Sequence, residues 1–195
     1  TKTEQDSNRG PGIEHFSPPR HHGFDRVLVT ESKAPTYDPL WKPKKDASWL
    51  GWSAIDDFST AVPYGTAFWN EKGQKVTDNM RGDASRVLMD RAIPFMEKAV
   101  DQDQPFLSVI WFHAPHMPCV ASDQQIQSYS QHGENERRYY GCISAMDQQI
   151  GRLREKLREL GIADETLVAF TSDNGPAFRP DGGIGKTGGL RGMKQ

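Results

Sequence analysis

The chain has 195 residues, enough for one domain with a true core and too few for two. Its 24 basic and 26 acidic residues leave a net charge of −2, which gives no electrostatic footprint for nucleic acid or an anionic membrane. Hydrophobic residues make up 35% and mean hydropathy is −0.72. Both values lie below the globular norm, so part of the chain is expected to be unable to bury itself.

No run of about 18 apolar residues occurs, which excludes a helical membrane span within this sequence. Thr1-Lys2-Thr3-Glu4-Gln5-Asp6 does not begin a signal peptide, and a first residue of Thr instead of Met suggests a processed product or a piece of a longer chain. Cys119 and Cys142 form neither a CxxC pair nor a disulfide-dense framework, and read as packed thiols.

Residues 1–83 hold the hydrophobic deficit. Pro18, Pro19, Pro35, Pro39, Pro43 and Pro63 interrupt every candidate helix there, while Trp41, Trp49, Trp52 and Trp69 argue for an irregular segment pinned to a neighbouring surface. Trp69-Asn70-Glu71-Lys72-Gly73-Gln74-Lys75-Val76 reads as a short hairpin turning at Gly73. Residues 84–195 read as a regular α/β segment of the same domain. Ser85 is the expected cap of a helix whose apolar stripe is Val87, Leu88, Ala92, Phe95, Met96, Ala99 and Val100, with a kink at Pro94.

The run Pro105-Phe106-Leu107-Ser108-Val109-Ile110-Trp111-Phe112 is short and apolar, as a buried strand would be. Ile143, Met146, Ile150, Leu153, Leu157 and Leu160 recur at 3,4,3,4,3 spacing and form one face of a long helix, which Gly161 stops. Thr166-Leu167-Val168-Ala169-Phe170-Thr171 reads as a second buried strand. Strand, helix, strand in that order is a βαβ crossover with parallel strands, so the fold class is α/β.

Polar groups cluster after both expected strands. His113-Ala114-Pro115-His116-Met117-Pro118 follows the first and Ser172-Asp173-Asn174-Gly175-Pro176 the second. Parallel strands would set both segments on one rim of the sheet, where ligands bind in open α/β folds. Asp173 and Asn174 offer adjacent hard oxygen donors suited to Ca²⁺ or Mg²⁺. Asp-Asn-Gly is also a favoured turn in its own right, and on these residues alone the turn outweighs the metal. Zinc is disfavoured, because His113 and His116 have no third ligand at a diagnostic spacing. Gly182-Gly183-Ile184-Gly185-Lys186-Thr187 fails the phosphate-loop spacing, with Pro180 where its first glycine belongs, and reads as a glycine-rich arm.

Val168-Ala169-Phe170-Thr171-Ser172-Asp173-Asn174-Gly175-Pro176, preceded by Tyr139-Tyr140-Gly141-Cys142-Ile143-Ser144-Ala145-Met146-Asp147 and Ile150-Gly151-Arg152-Leu153, closely resembles the type I sulfatases of the alkaline phosphatase superfamily. The segment leading to His116-Met117-Pro118 is similar to that family's His-x-Pro site. Gly23-Phe24-Asp25 and Leu190-Arg191-Gly192-Met193-Lys194 resemble two further family elements. The resemblance implies part of an alkaline-phosphatase-like sandwich, with a mostly parallel central sheet flanked by helices. By that resemblance Asp173 and Asn174 match calcium ligands, which reverses the weighting toward a plain turn. His116 matches the histidine that contacts the sulfate and assists the leaving alcohol, and His113 is a neighbour with a lesser claim on the substrate. Lys194 matches the lysine that holds a sulfate oxygen.

The departures are equally informative. The family's nucleophile is a formylglycine made from Cys or Ser in a Cys/Ser-x-Pro/Ala-x-Arg motif. Cys119-Val120-Ala121-Ser122-Asp123 has Asp where Arg is required, and Cys142-Ile143-Ser144-Ala145-Met146 fails at both diagnostic places. The chain therefore reads as an internal piece of a catalytic domain, inactive alone, whose parent hydrolyses sulfate esters, carbohydrate sulfates foremost. Alternatives are a phosphoesterase of the same superfamily or a non-catalytic sulfatase-like binding protein. Resemblance alone implies a secreted or periplasmic location.

Overall fold

The computed structural model describes residues 18–30, 32–177 and 184–194. The sequence-based readings of Thr1-Lys2-Thr3-Glu4-Gln5-Asp6, Pro180, Gly182 and Gly183 fall outside these residues. The first half carries four short strands, β1 (Leu28–Thr30), β2 (Trp41–Pro43), β3 (Ala61–Pro63) and β4 (Phe68–Asn70). They pair as two antiparallel ladders, β1 with β4 and β2 with β3. Val29 stands opposite Trp69 in the first and Lys42 opposite Val62 in the second.

The hairpin expected at 69–76 forms. The Gly73 N–H donates to the Asn70 carbonyl at 2.9 Å and the Val76 N–H to the Phe68 carbonyl at 2.8 Å. Gly73 has φ +71°, in the left-handed region that glycine enters without a Cβ penalty. This folding-back buries Phe68 and Val76 together with Ala34, Met80 and Val87, so the irregular first half shares a core with the helix that follows it.

That helix, α1 (Ala84–Asp101), is capped by Asp83 and not by Ser85. The Asp83 carboxylate accepts from the N–H groups of Ser85 at 3.1 Å and Arg86 at 3.0 Å. Ser85 lies two residues too far along to cap and is itself buried, while Asp83 holds the non-helical backbone a cap requires. The helix runs on through Pro94.

After a single turn, α2 (Asp123–Ile126), the long helix α3 (Glu134–Glu159) covers the expected span. Cys142, Ala145 and Leu157 are buried, and Ile143, Met146, Ile150 and Leu153 are half-buried, as the 3.6-residue period dictates. Gly161 ends the helix at φ +72°, with its N–H bonded to the Arg158 carbonyl and the Ile162 N–H to the Leu157 carbonyl. Two ion pairs fasten α3 to α1, Arg152 to Asp90 at 2.5 Å and Lys156 to Glu97 at 3.0 Å.

Residues 105–112 and 166–171 depart from expectation, because neither enters a ladder among the described residues. The first keeps the side-chain alternation of a strand, with Leu107, Val109 and Trp111 exposed and Phe106, Ser108, Ile110 and Phe112 half-buried. A strand is completed only by a neighbour, and sequence period reports the side chains without reporting the partner. Leu167 at 96% and Phe170 at 70% exposure show the same lack of cover. The described ladders are thus antiparallel, and the mostly parallel sheet expected from the sequence is not among them.

Candidate functional site

The loop after residue 112 is built from below. The Cys119 N–H donates to the Leu50 carbonyl at 2.8 Å and the Thr36 N–H to the Pro118 carbonyl at 3.3 Å. Gly51 makes this approach possible. Its φ is +146°, and a Cβ there would sit 1.8 Å from the Cys119 carbonyl oxygen, so no other residue fits.

On this base the two histidines diverge. His113 is half-buried and meets the Phe68 ring edge-on at 5.8 Å. Burial, helped by the neighbouring His116, lowers its pKa from 6.5 to about 4, so it is neutral at physiological pH. His116 is exposed. Its N–H donates to the His113 carbonyl at 2.7 Å, and its ring Nδ1 lies 2.7 Å from the Met117 carbonyl. A carbonyl only accepts, so Nδ1 carries the proton and Nε2 is the nitrogen left for outside chemistry.

The second cluster gathers residues remote in sequence. Asp173 and Asn174 are exposed, and the Ser172 hydroxyl donates to the Asn174 carbonyl at 2.7 Å. The Lys194 N–H donates to the Pro176 carbonyl at 2.9 Å, and an isolated parallel bridge pairs Ala177 with Lys194. Gly175 allows the chains to close. A Cβ on it would lie 2.8 Å from the Gly192 carbonyl oxygen and 3.0 Å from Met193 Cα. The main chain itself therefore sets Lys194 beside the Asp173-Asn174 turn.

Tyr139 on α3 links the two clusters. It packs against the buried group of Ala114, Cys119 and Cys142 beneath the histidine loop. Its hydroxyl oxygen would lie 3.2 Å from a Cβ on Gly185, and that same Cβ would lie 2.9 Å from Pro176 Cβ. Burial, together with Cys119, Cys142 and Tyr140 nearby, raises the Tyr139 pKa above the ordinary phenol value, so the hydroxyl stays protonated. Sequence reasoning quoted Tyr139 only within a motif and passed over Thr36 and Gly51. The one available signal was the Tyr139-Tyr140-Gly141 run.

A carboxylate next to an amide oxygen fits a hard divalent cation. Among the described residues no group of three or more His, Cys, Asp or Glu gathers to hold a metal. Asp173 and Asn174 would thus supply part of a coordination shell of six to eight oxygens.

Helices and short strands here carry exposed polar loops that hold a histidine, a lysine and hard oxygen donors. The Sulfatase family matches residues 17–195, and the chain belongs to that family. An uncharacterized sulfatase of Escherichia coli K12 is 32% identical over 159 residues, covering 79% of this chain and 27% of the relative. Human N-acetylgalactosamine-6-sulfatase is 33% identical over 95 residues, covering 48% of this chain and 17% of the relative. The crystal structure of Ps i-CgsB in complex with k-i-k-neocarrahexaose superposes with a TM-score of 0.65 at 26% identity, covering 86% of this chain and 36% of that one. The chain spans about a quarter of the length of the E. coli relative.

Proposed function

We propose that the protein to which this chain belongs is a sulfuric ester hydrolase acting on sulfated carbohydrate. The observation that carries the reading is the Lys194–Pro176 main-chain bond, which brings the backbone of Lys194 to the turn that holds Asp173 and Asn174, within reach of a lysine side chain. In this reading Asp173 and Asn174 hold part of a calcium ion's shell, and the ion, when bound, supplies Lewis-acid polarisation of the ester's oxygens. The Lys194 ammonium holds a non-bridging sulfate oxygen and offsets negative charge that grows in the transition state. His116 presents Nε2, and its protonated form gives a proton to the departing alkoxide. His113, neutral and packed on Phe68, supports the loop and borders the substrate.

The residues 1–195 contain no Cys/Ser-x-Pro/Ala-x-Arg sequence, so the attacking formylglycine belongs to a different part of the protein, and this chain by itself turns over no ester. Carbohydrate as substrate is supported by the names of the human relative and of an ulvan-active sulfatase, 29% identical over 105 residues, from Formosa agariphila. The sugar held by Ps i-CgsB supports it also. Export to a secreted or periplasmic compartment accords with these substrates. No helix among the described residues is long and apolar enough to cross a membrane.

The test is hydrolysis of sulfated oligosaccharides by the full-length protein, with matched phosphate esters alongside. Sulfate release that Lys194→Ala lowers by about 10²–10³ supports the reading. Preferential phosphate release would replace it with phosphoesterase chemistry, and no turnover of either ester would favour a non-catalytic binding protein.

A further inference from the structure

Two thiols play no part in the chemistry above. Cys119 and Cys142 are buried, with 4% and 1% of their surface exposed, and both are free. They come from elements distant in sequence, the end of the histidine loop and the third turn of α3, yet share one apolar cluster with Ala114. The Cys119 thiol donates to the Pro115 carbonyl at 3.4 Å and the Cys142 thiol to the Tyr139 carbonyl at 3.1 Å. Each sulfur is thus held by the residues that form one of the two sides of this contact.

We propose that Cys119 and Cys142 are a redox pair which hydrogen peroxide closes into an intramolecular disulfide, tying the His113–Pro118 loop covalently to α3. The Cys119 thiolate, from the slightly more exposed thiol, attacks a peroxide oxygen. The O–O bond breaks, hydroxide leaves and Cys119 becomes a sulfenic acid. The Cys142 thiolate then attacks that sulfur, the S–S bond forms and the sulfenic oxygen departs as hydroxide. The two thiol protons convert both hydroxides to water. Two electrons pass from the sulfurs to one peroxide, which is fully reduced.

Contact with Cys119, then burial, pushes the Cys142 thiol well above the usual thiol range. Closure is therefore slow at neutral pH and accelerates as pH rises. Once closed, neither thiol hydrogen bond survives, and the Pro115 and Tyr139 carbonyls each lose a donor on either side of the new bond.

The experiment treats the intact folded chain with hydrogen peroxide, denatures it, alkylates the remaining thiols and maps the peptides by mass. The expected product is a monomer lighter by two hydrogens, with neither cysteine alkylated, a single 119–142 cross-linked peptide, and full reversal by dithiothreitol. In Cys142→Ser the reaction should stop at a Cys119 sulfenic acid that dimedone traps. Two alkylatable thiols after treatment, oxygen added to either cysteine without a cross-link, or a bond between chains would each overturn the proposal. The wild-type peptide map decides the matter even if the serine variant does not fold.

Discussion

The hydroxyl of Thr36 both donates to the carbonyl of Val120 and accepts from its N–H, each at 2.7 Å. One buried side chain thereby satisfies both polar groups of a residue 84 positions away and ties the first half of the chain to the base of the histidine loop. Thr36→Val keeps the shape and leaves both Val120 groups buried without a partner. A loss of about 2–3 kcal/mol in unfolding free energy is expected, since each orphaned group costs on the order of 1–3 kcal/mol. Urea denaturation measures it, and Thr36→Ser should recover most of the loss.

Gly51 predicts a harsher outcome. Alanine there would be strained at φ +146° and would drive its Cβ into the Cys119 carbonyl. The backbone must move apart, breaking the Leu50–Cys119 hydrogen bond, at a cost of roughly 3 kcal/mol or more. A folded Gly51→Ala chain with unchanged thermal stability would contradict the close approach. Gly65→Ala, where no atom crowds the new Cβ, is the control for the backbone penalty alone.

His113 couples stability to pH. Its folded-state pKa of about 4 lies below the unfolded value of 6.5, so the unfolded chain takes up the proton first. The stabilisation is fully present above pH 6.5, declines as pH falls, and is gone below about 4. A shift of this size corresponds to about 3 kcal/mol. Denaturant titrations at pH 7 and pH 4.5 should show a drop that His113→Phe largely removes. An equal drop in the variant would assign the effect to other groups.

For the full-length protein, Lys194→Ala should lower kcat by about 10²–10³, the range for losing one charged group that stabilises a transition state. His116→Ala should cost about 10²–10⁴ and flatten one limb of the pH–rate profile. Asp173→Ala should abolish the rise in Tm on adding calcium, a readout independent of turnover. Calcium stabilisation equal to wild type in that variant would remove Asp173 from the metal shell.

What the sequence disclosed depended on the range over which each feature is written. The α3 stripe, its stop at Gly161 and the turn at Gly73 were legible, because helix period and left-handed glycine are properties of a few adjacent residues. The cap of α1 was misplaced by two residues. Ser and Asp both favour that role, and only backbone geometry chooses between them. The alternation of 105–112 was visible, but a pairing partner is not encoded within the strand itself. The candidate site divides in the same way. Asp173, Asn174, His116 and Lys194 stood out through their motifs, whereas the closeness of Lys194 to the Asp173 turn depends on Gly175 and Gly192 meeting across the fold. Thr36 and Gly51 carried no local mark at all, since their importance lies wholly in what they touch.

The fastening of α3 has a mechanical consequence. The helix is a stiff rod seated at both ends, on α1 through Arg152 and Lys156 and, beside Tyr139, on Ser53 through Arg138 and on Ala121 and Ile126 through Gly141. At about 1.5 Å per residue, the span from Arg152 to Tyr139 is roughly 20 Å. A rod held at two places this far apart cannot pivot about either one. The histidine loop therefore rests on a rod whose direction is fixed at two separated seats, so loosening the ion pairs at Asp90 and Glu97 leaves the seat under the loop in place.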